Sequence, residues 1–410
     1  MASSSSTKKN TMRLQSSAPL LLLHLLMARF SSSADLLQNP DFESLPTNLP
    51  PENSTAEFIP LNQTTTTLPG WTFEGTVLYV NAGKTVSLQR NGSHAVQLGP
   101  DGRINQTFTT EGSSGSASIY LLTITVTYSA VGGGRNCTAS AAAVVSAPDS
   151  RTEVYQRDGY DGKPWQSFGV YLGNWEEGEV VDLVIESMSS DPDPDTICWP
   201  IVDSVLLKSA RSLASDNGNL LPNQDFELGP EFLTNSTEGI LLDQAQSPLQ
   251  SPLTQWSILG TIKYIDSDHF FVPAGNAAIE IIAGNSTGIQ TAVPLSQGSS
   301  YTLKFTLGDA NDSCVGDLSI TAQAGSVLKN YTVQSNGTGS GQSFSMTFEA
   351  GSGTTPTPIS FLSLTALQTK AGAFCGPVID DVVLRASMGV RVAMNWSFLL
   401  FLALFAASAV

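Results

Sequence analysis

The stretch Leu122-Thr123-Ile124-Thr125-Val126-Thr127-Tyr128 alternates large apolar residues with threonine. A period of two, rich in β-branched residues, describes a strand with one buried face. Tyr301-Thr302-Leu303-Lys304-Phe305-Thr306-Leu307 does the same at the matching place farther along. Short stretches of this kind recur between glycine- and serine-rich turns, and no amphipathic helical pattern stands out between the chain ends. The fold class read from this pattern is all-β, as two tandem jelly-roll β-sandwiches.

The number two comes from duplication. Leu36-Leu37-Gln38-Asn39-Pro40-Asp41-Phe42-Glu43 returns as Leu220-Leu221-Pro222-Asn223-Gln224-Asp225-Phe226-Glu227. Trp71, then Gly75-Thr76-Val77-Leu78-Tyr79-Val80, returns as Trp256, then Gly260-Thr261-Ile262-Lys263-Tyr264-Ile265. Cys137 and Cys198 are spaced as Cys314 and Cys375 are. A repeat of this length is a whole domain, so residues 35–207 and 219–386 are read as two sandwiches and residues 208–218 as a polar linker. A duplicated domain points to a module that binds or scaffolds, since an active site needs building only once.

Both ends read as processing signals. Lys8, Lys9 and Arg13 precede an apolar run from Ala18 to Ala28 and small residues at Ser32-Ser33-Ala34, so residues 1–34 are expected to be a secretory signal peptide. Residues 392–410 carry no charge and follow the small residues Ala386, Ser387 and Gly389. With Ser387 as attachment site, residues 387–410 fit a glycosylphosphatidylinositol signal. The alternative is a single transmembrane helix; Asn395 and Ser397 within it, and no basic residue after it, count against that. Sequons at Asn53, Asn62, Asn91, Asn105, Asn235, Asn285, Asn311, Asn330 and Asn336 mark a glycosylated surface, with a further one at Asn136 set against Cys137.

The chain carries a formal charge of −17, and the terminal segments hold Lys8, Lys9, Arg13, Arg29 and Arg391 but no acid, so their removal deepens it. Such a polyanion lacks the clustered cations that nucleic acid requires. Acidic polysaccharides are poor electrostatic partners, and neutral sugars or basic proteins better ones. Four cysteines allow three pairings. The repeat selects one bridge per copy, Cys137–Cys198 and Cys314–Cys375, each worth about 3–5 kcal/mol in the chain-entropy model.

Leu68-Pro69-Gly70-Trp71, Gly275-Asn276-Ala277-Ala278-Ile279-Glu280, Phe305-Thr306-Leu307-Gly308-Asp309-Ala310-Asn311-Asp312-Ser313-Cys314 and Cys375-Gly376-Pro377-Val378-Ile379-Asp380-Asp381-Val382 join the landmarks above. On these marks the chain, over roughly residues 35–385, resembles the plant cell-wall family known as domain of unknown function 642. The resemblance implies tandem galactose-binding-like sandwiches that are secreted, associate with wall polysaccharides and are linked to pectin methylesterases, with a lipid-anchored subset. Two marks depart from the family pattern in the first copy: Cys198-Trp199-Pro200 and Gly159-Tyr160-Asp161.

Candidate chemistry is sparse. His94 and His269 sit at non-equivalent places, and neither a G-x-S-x-G elbow nor H-E-x-x-H occurs. Paired carboxylates could still serve a glycosidase. Asp203 and Asp380, each after the second cysteine of its copy, are candidate Ca²⁺ ligands, or carboxylates that accept loop N–H bonds. No other cofactor is expected. Trp71 and Trp256 recur with the apolar pattern and read as core. Tyr155, Tyr160, Trp165, Tyr171 and Trp175, interleaved with Asp161, occur in the first copy and suit stacking on sugar rings; strand packing is the alternative. The expected protein is non-catalytic and extracellular, on the outer face of the plasma membrane and in the wall. It binds a pectin- or cellulose-type polysaccharide and touches the membrane through a lipid anchor alone. The alternative is an adaptor for a basic enzyme such as pectin methylesterase.

Overall fold

A computed structural model describes residues 36–49, 56–84, 86–88, 92–111, 117–129, 139–157, 164–188, 197–210, 218–234, 237–282, 284–351 and 356–387. The first half contributes β1 (Phe58–Pro60), β2 (Thr72–Glu74), β3 (Val77–Asn81), β4 (His94–Leu98), β5 (Arg103–Thr109), β6 (Ser118–Ser129), β7 (Ala139–Ser140), β8 (Ala143–Ala147), β9 (Ser150–Val154), β10 (Gln166–Trp175), β11 (Val180–Ser187) and β12 (Ile197–Ala210). The second contributes β13 (Ile240–Leu242), β14 (Ser257–Leu259), β15 (Ile262–Asp266), β16 (Ala277–Glu280), β17 (Gly288–Val293), β18 (Ser300–Asp309), β19 (Val315–Ala324), β20 (Val327–Asn336), β21 (Ser340–Glu349), β22 (Thr357–Ser363), β23 (Leu367–Gln368), β24 (Phe374–Cys375) and β25 (Val378–Ala386). A 3₁₀ turn spans Pro248–Gln250.

Each half is a sandwich of the same order. In the first, β1-β3-β4-β12-β6-β10 faces β2-β5-β11-β8-β9; in the second, β13-β15-β16-β25-β18-β21 faces β14-β17-β22-β19-β20. The all-β, tandem jelly-roll expectation stands. Tyr120, Leu122, Ile124 and Val126 of β6 point into the first core, and Leu303, Phe305 and Leu307 of β18 into the second. The equivalence is shifted by two residues from the pattern match. Val202 pairs with Val126 and Ile379 with Leu307, and Val202 and Ile379 follow Cys198 and Cys375 at the same interval. Tyr120, rather than Leu122, therefore matches Tyr301. A slip of two preserves the buried face, which is why periodicity does not expose it.

The duplicated opening motif is a turn. Asn39 and Phe42, like Asn223 and Phe226, have positive φ. The Asn39 amide donates to Pro69 O at 3.1 Å and its Oδ1 accepts the Ser44 N–H; Asn223 does the same with Thr254 O and the Leu228 N–H. Phe42 and Phe226 are fully buried. Their carbonyls accept the Tyr79 and Tyr264 hydroxyls, each at 2.8 Å. Glu43 and Glu227 cap the strands that start at His94 and Ala277. Trp71 and Trp256 are core residues, as their recurrence implies.

The halves pair directly. β12 continues to Ala210, into the segment read as linker. β10 pairs in parallel with β13, Ser167 with Ile240, Phe168 with Leu241 and Gly169 with Leu242, which makes the two larger sheets one. Paired residues share a face. Phe168 and Leu241 enter the first core, while Ile240 and Leu242 enter the second. The sandwiches thus lie on opposite faces of a continuous sheet. A Cβ on Gly169 would fall 2.6 Å from Pro230 and closer still to Leu242, so any larger residue there would force these side chains to shift. Thr123 Oγ1 donates to Glu231 O at 2.6 Å, and Arg157 reaches Asp243 at 2.6 Å.

Cys314 and Cys375 form the expected bridge, with Cα atoms 5.8 Å apart. Cys198 is buried in β12, and Cys137 lies outside the described residues. One exchange distinguishes the halves. Lys263 and Glu280 pair across β15 and β16 as a buried ion pair, Nζ to Oε2 at 2.6 Å, and Gly376 N–H donates to Glu280 Oε1 at 3.0 Å. At the matching register the first half has Leu78 and Gln97, and Trp199 replaces Gly376. A Cβ on Gly376 would run into the Ile281 carbonyl. The Cys-Trp-Pro departure therefore accompanies the loss of the ion pair.

Candidate carbohydrate site at the junction

The structure separates the aromatic residues singled out in the first half. Trp165 is 4 % exposed; it packs with Val80, Val86, Ala95 and Ile201, and its Nε1 donates to Ser87 O at 2.7 Å. Trp175 is 6 % exposed and packs in the core against Tyr120, ring centres 5.5 Å apart and tilted. Neither presents a ring face to a ligand, so both are corrected from sugar contacts to packing residues. The cause for Trp175 is local. The register slips between Tyr171 and Gly173, and this bulge turns Trp175 to the inner face. Without it, Trp175 would share the outer face of Tyr171. Tyr155 is exposed, with the Arg157 guanidinium 4.8 Å from its ring centre. Tyr160 and Asp161 lie outside the described residues.

Tyr171 lines a cleft of about 280 Å³. Its first wall is Asp149 and Arg151 from the β8–β9 hairpin; its second is Asp243, Gln244 and Gln250, which follow β13. The cleft opens where β13 leaves β10 beyond Gly169, so neither half forms it alone. Such a volume falls just below that of small-ligand sites, roughly 300–1,000 Å³. Tyr171 is half-buried against Ile119, Leu121 and Ala210. Burial, aided by the Asp149 charge, raises its phenol pKa. A neutral hydroxyl and an aromatic ring therefore share the cleft with two amides.

The charges are largely committed. Arg151 pairs with Glu186 at 2.7 Å. Asp243 takes Arg157 at 2.6 Å and the Thr261 hydroxyl at 3.0 Å; burial nevertheless raises its pKa against the pull of Arg157. Asp149 accepts the Trp175 indole N–H at 2.9 Å. Sequence reasoning missed this site because half of it comes from the second copy. The one available signal was Tyr171.

The remaining candidates resolve differently. Asp380 accepts the N–H groups of Ala274 at 2.8 Å and Asp381 at 2.7 Å, the loop-capping alternative. Burial raises its pKa to about 7 despite those bonds. Asp203 is buried beside Ser204. Among the described residues no three His, Cys, Asp or Glu side chains are grouped to hold a metal ion. Asn62, Asn285, Asn311, Asn330 and Asn336 are exposed and Asn105 is half-buried, while Asn53, Asn91 and Asn235 lie outside the described residues. Ser387 follows β25 and donates its N–H to Ser300 O at 2.8 Å.

Among solved structures, the chain aligns with the tandem CBM22-1–CBM22-2 domain of Paenibacillus barcinonensis Xyn10C at 14% identity and a TM-score of 0.26, covering 78% of this chain and 94% of that one. The Arabidopsis thaliana ANX2 ectodomain aligns at 9% identity and a TM-score of 0.28, covering 76% and 89%. Scores of this size carry neither fold nor ligand across, and the fold rests on the sheet order itself. Sequence relatives are nearer. The Arabidopsis thaliana protein DUF642 L-galactono-1,4-lactone-responsive gene 2 is 33% identical over 77% of this chain and 84% of its own length. The Arabidopsis thaliana protein TEEBE is 31% identical over 77% and 83%. The family model described as "Protein of unknown function (DUF642)" matches residues 35–208 and 219–385, and the chain belongs to that family.

Proposed function

We propose that the protein is a non-catalytic, extracellular binder of plant cell-wall polysaccharide, and that the junction cleft is its sugar site. The cleft carries this reading: Tyr171, half-buried, offers both an aromatic ring and a neutral hydroxyl beside two amides around a space of about 280 Å³. Recognition of a sugar requires an apolar face and a few fixed polar groups. Both arginines near the cleft already have acidic partners, and Asp149 adds a carboxylate. A neutral chain, of the cellulose or neutral-glycan type, fits such walls better than a polyuronate such as pectin. The lipid anchor at Ser387, the sequon glycans and the wall location complete the proposal. They rest on the terminal segments, the N-x-S/T pattern and the family resemblance.

The test is binding of the full chain to immobilised neutral and uronate polymers at low and high salt, beside Tyr171→Ala and Gln250→Ala. Salt-resistant binding to neutral polymers, weakened at least about tenfold by Tyr171→Ala, is the expected result. Binding that neither substitution changes would refute the site. A second reading is supported by the charge of −17: an adaptor that holds a basic wall enzyme such as pectin methylesterase. That complex would dissociate as ionic strength rises. Release of new reducing ends or methanol from wall polymers would replace both with a hydrolase.

A further inference from the structure

The join between the halves is heterologous. The outer strand of the first larger sheet, β10, pairs with β13, the first strand of the second. Among the described residues, the same two edges recur at the ends of the continuous sheet with no further strand paired to them: β21 is the counterpart of β10, and β1 that of β13. A head-to-tail contact that does not close on itself can propagate into an open chain of molecules. We infer that β1 and β21 are complementary edges for a second copy of this chain, held apart by three residues that differ from the internal join.

Pro60 closes the first edge. Ile59 pairs with Tyr79 as Ile240 does with Tyr264, so Pro60 occupies the place of Leu241. Antiparallel partners alternate between inward and outward hydrogen bonding. Leu61 N–H bonds inward to Val77 O at 2.9 Å, so the outward-facing positions of this strand are Phe58 and position 60, the latter at the place of Leu241. Proline has no N–H to donate there, and it is exposed.

Ser345 and Lys304 close the second. Phe168 and Gly169 pair with Ile124 and Thr123; Phe344 and Ser345 pair with the equivalent residues Phe305 and Lys304. Ser345 thus stands at the place of Gly169, where a Cβ meets Leu242 and Pro230 across the internal join. Lys304 stands at the place of Thr123, whose hydroxyl bonds Glu231 O. Both are exposed. A proline and a lysine at open edges are recurrent devices against edge-to-edge pairing.

Sedimentation of full-chain variants tests this. Wild type is expected to remain monomeric across a concentration series, and Pro60→Leu/Lys304→Thr/Ser345→Gly to form a ladder of oligomers that grows with concentration. A mixture of Pro60→Leu with Lys304→Thr/Ser345→Gly, each opening a different edge, should stop at a one-to-one pair. These substitutions touch exposed positions, and far-UV circular dichroism verifies that the sheets are intact. Folded variants that stay monomeric alone and mixed overturn the inference, as does a wild type that itself forms the ladder.

Discussion

Lys263 and Glu280 are 4 % and 0 % exposed, and their pairing at 2.6 Å leaves the ammonium with Asp312 at 4.0 Å as its next carboxylate. Glu280→Gln keeps the shape and the acceptor for Gly376 N–H but removes the charge nearest the buried ammonium. Removing one member of a buried pair costs about 3–5 kcal/mol, because the survivor's desolvation is no longer offset by its nearest opposite charge. The first half shows the alternative, with Leu78 beside Gln97 at the same register. Lys263→Leu/Glu280→Gln is therefore expected to recover most of the loss, leaving it within about 1–2 kcal/mol of wild type. Lys263→Leu alone should be pH-dependent. Burial already raises the Glu280 pKa against the pull of Lys263, and without the lysine it rises further. A raised carboxyl pKa stabilises the folded state at low pH and forfeits that as pH climbs towards the folded value, so the variant should lose more at pH 8 than at pH 5. Urea unfolding followed by tryptophan fluorescence reads all three variants. A Glu280→Gln cost below about 1 kcal/mol, or a double variant as unstable as the sum of its singles, would refute the argument.

Trp165→Ala should cost about 3–5 kcal/mol of stability, read by urea unfolding, since the indole is buried in a packed cluster. Gly169→Ala should destabilise the junction by about 1–3 kcal/mol, whereas Ser345→Ala at the equivalent open edge should be nearly neutral in the same assay. Asp380 is ionised with difficulty, its carboxyl raised from 3.8 to about 7, so it opposes folding increasingly as pH rises from 4 to 7. Asp380→Asn should flatten that decline in a pH series of thermal midpoints. Reduction of Cys314–Cys375 should lower the unfolding midpoint by an amount equivalent to about 3–5 kcal/mol.

The buried faces of β6 and β18 could be read directly, because period-two alternation is a property of the strand itself. The recurring Trp, Phe and Asn of the opening motif were likewise legible as structure, since both copies repeat them. The site was not. Trp175 and Tyr171 look alike in sequence, and a bulge between them sends one indole inward and leaves one phenol at a cleft. Trp165 faces outward from its own sandwich, yet a loop and Ile201 cover it. Asp243, Gln244 and Gln250 carried no motif and became wall residues by position alone.

The sequence by itself determined the all-β class, the duplication, the Cys314–Cys375 pairing and the family, because each depends on local periodicity or on a repeated landmark. Tertiary structure alone decided that the two sandwiches share a sheet and lie on its opposite faces, with the cleft between them. The reason is geometric. Which strand edges meet depends on close approach at single residues, Gly169 against Leu242 and Pro230, and on which edge keeps its outward N–H. Both are relations between segments far apart in the chain, and no window of sequence contains them.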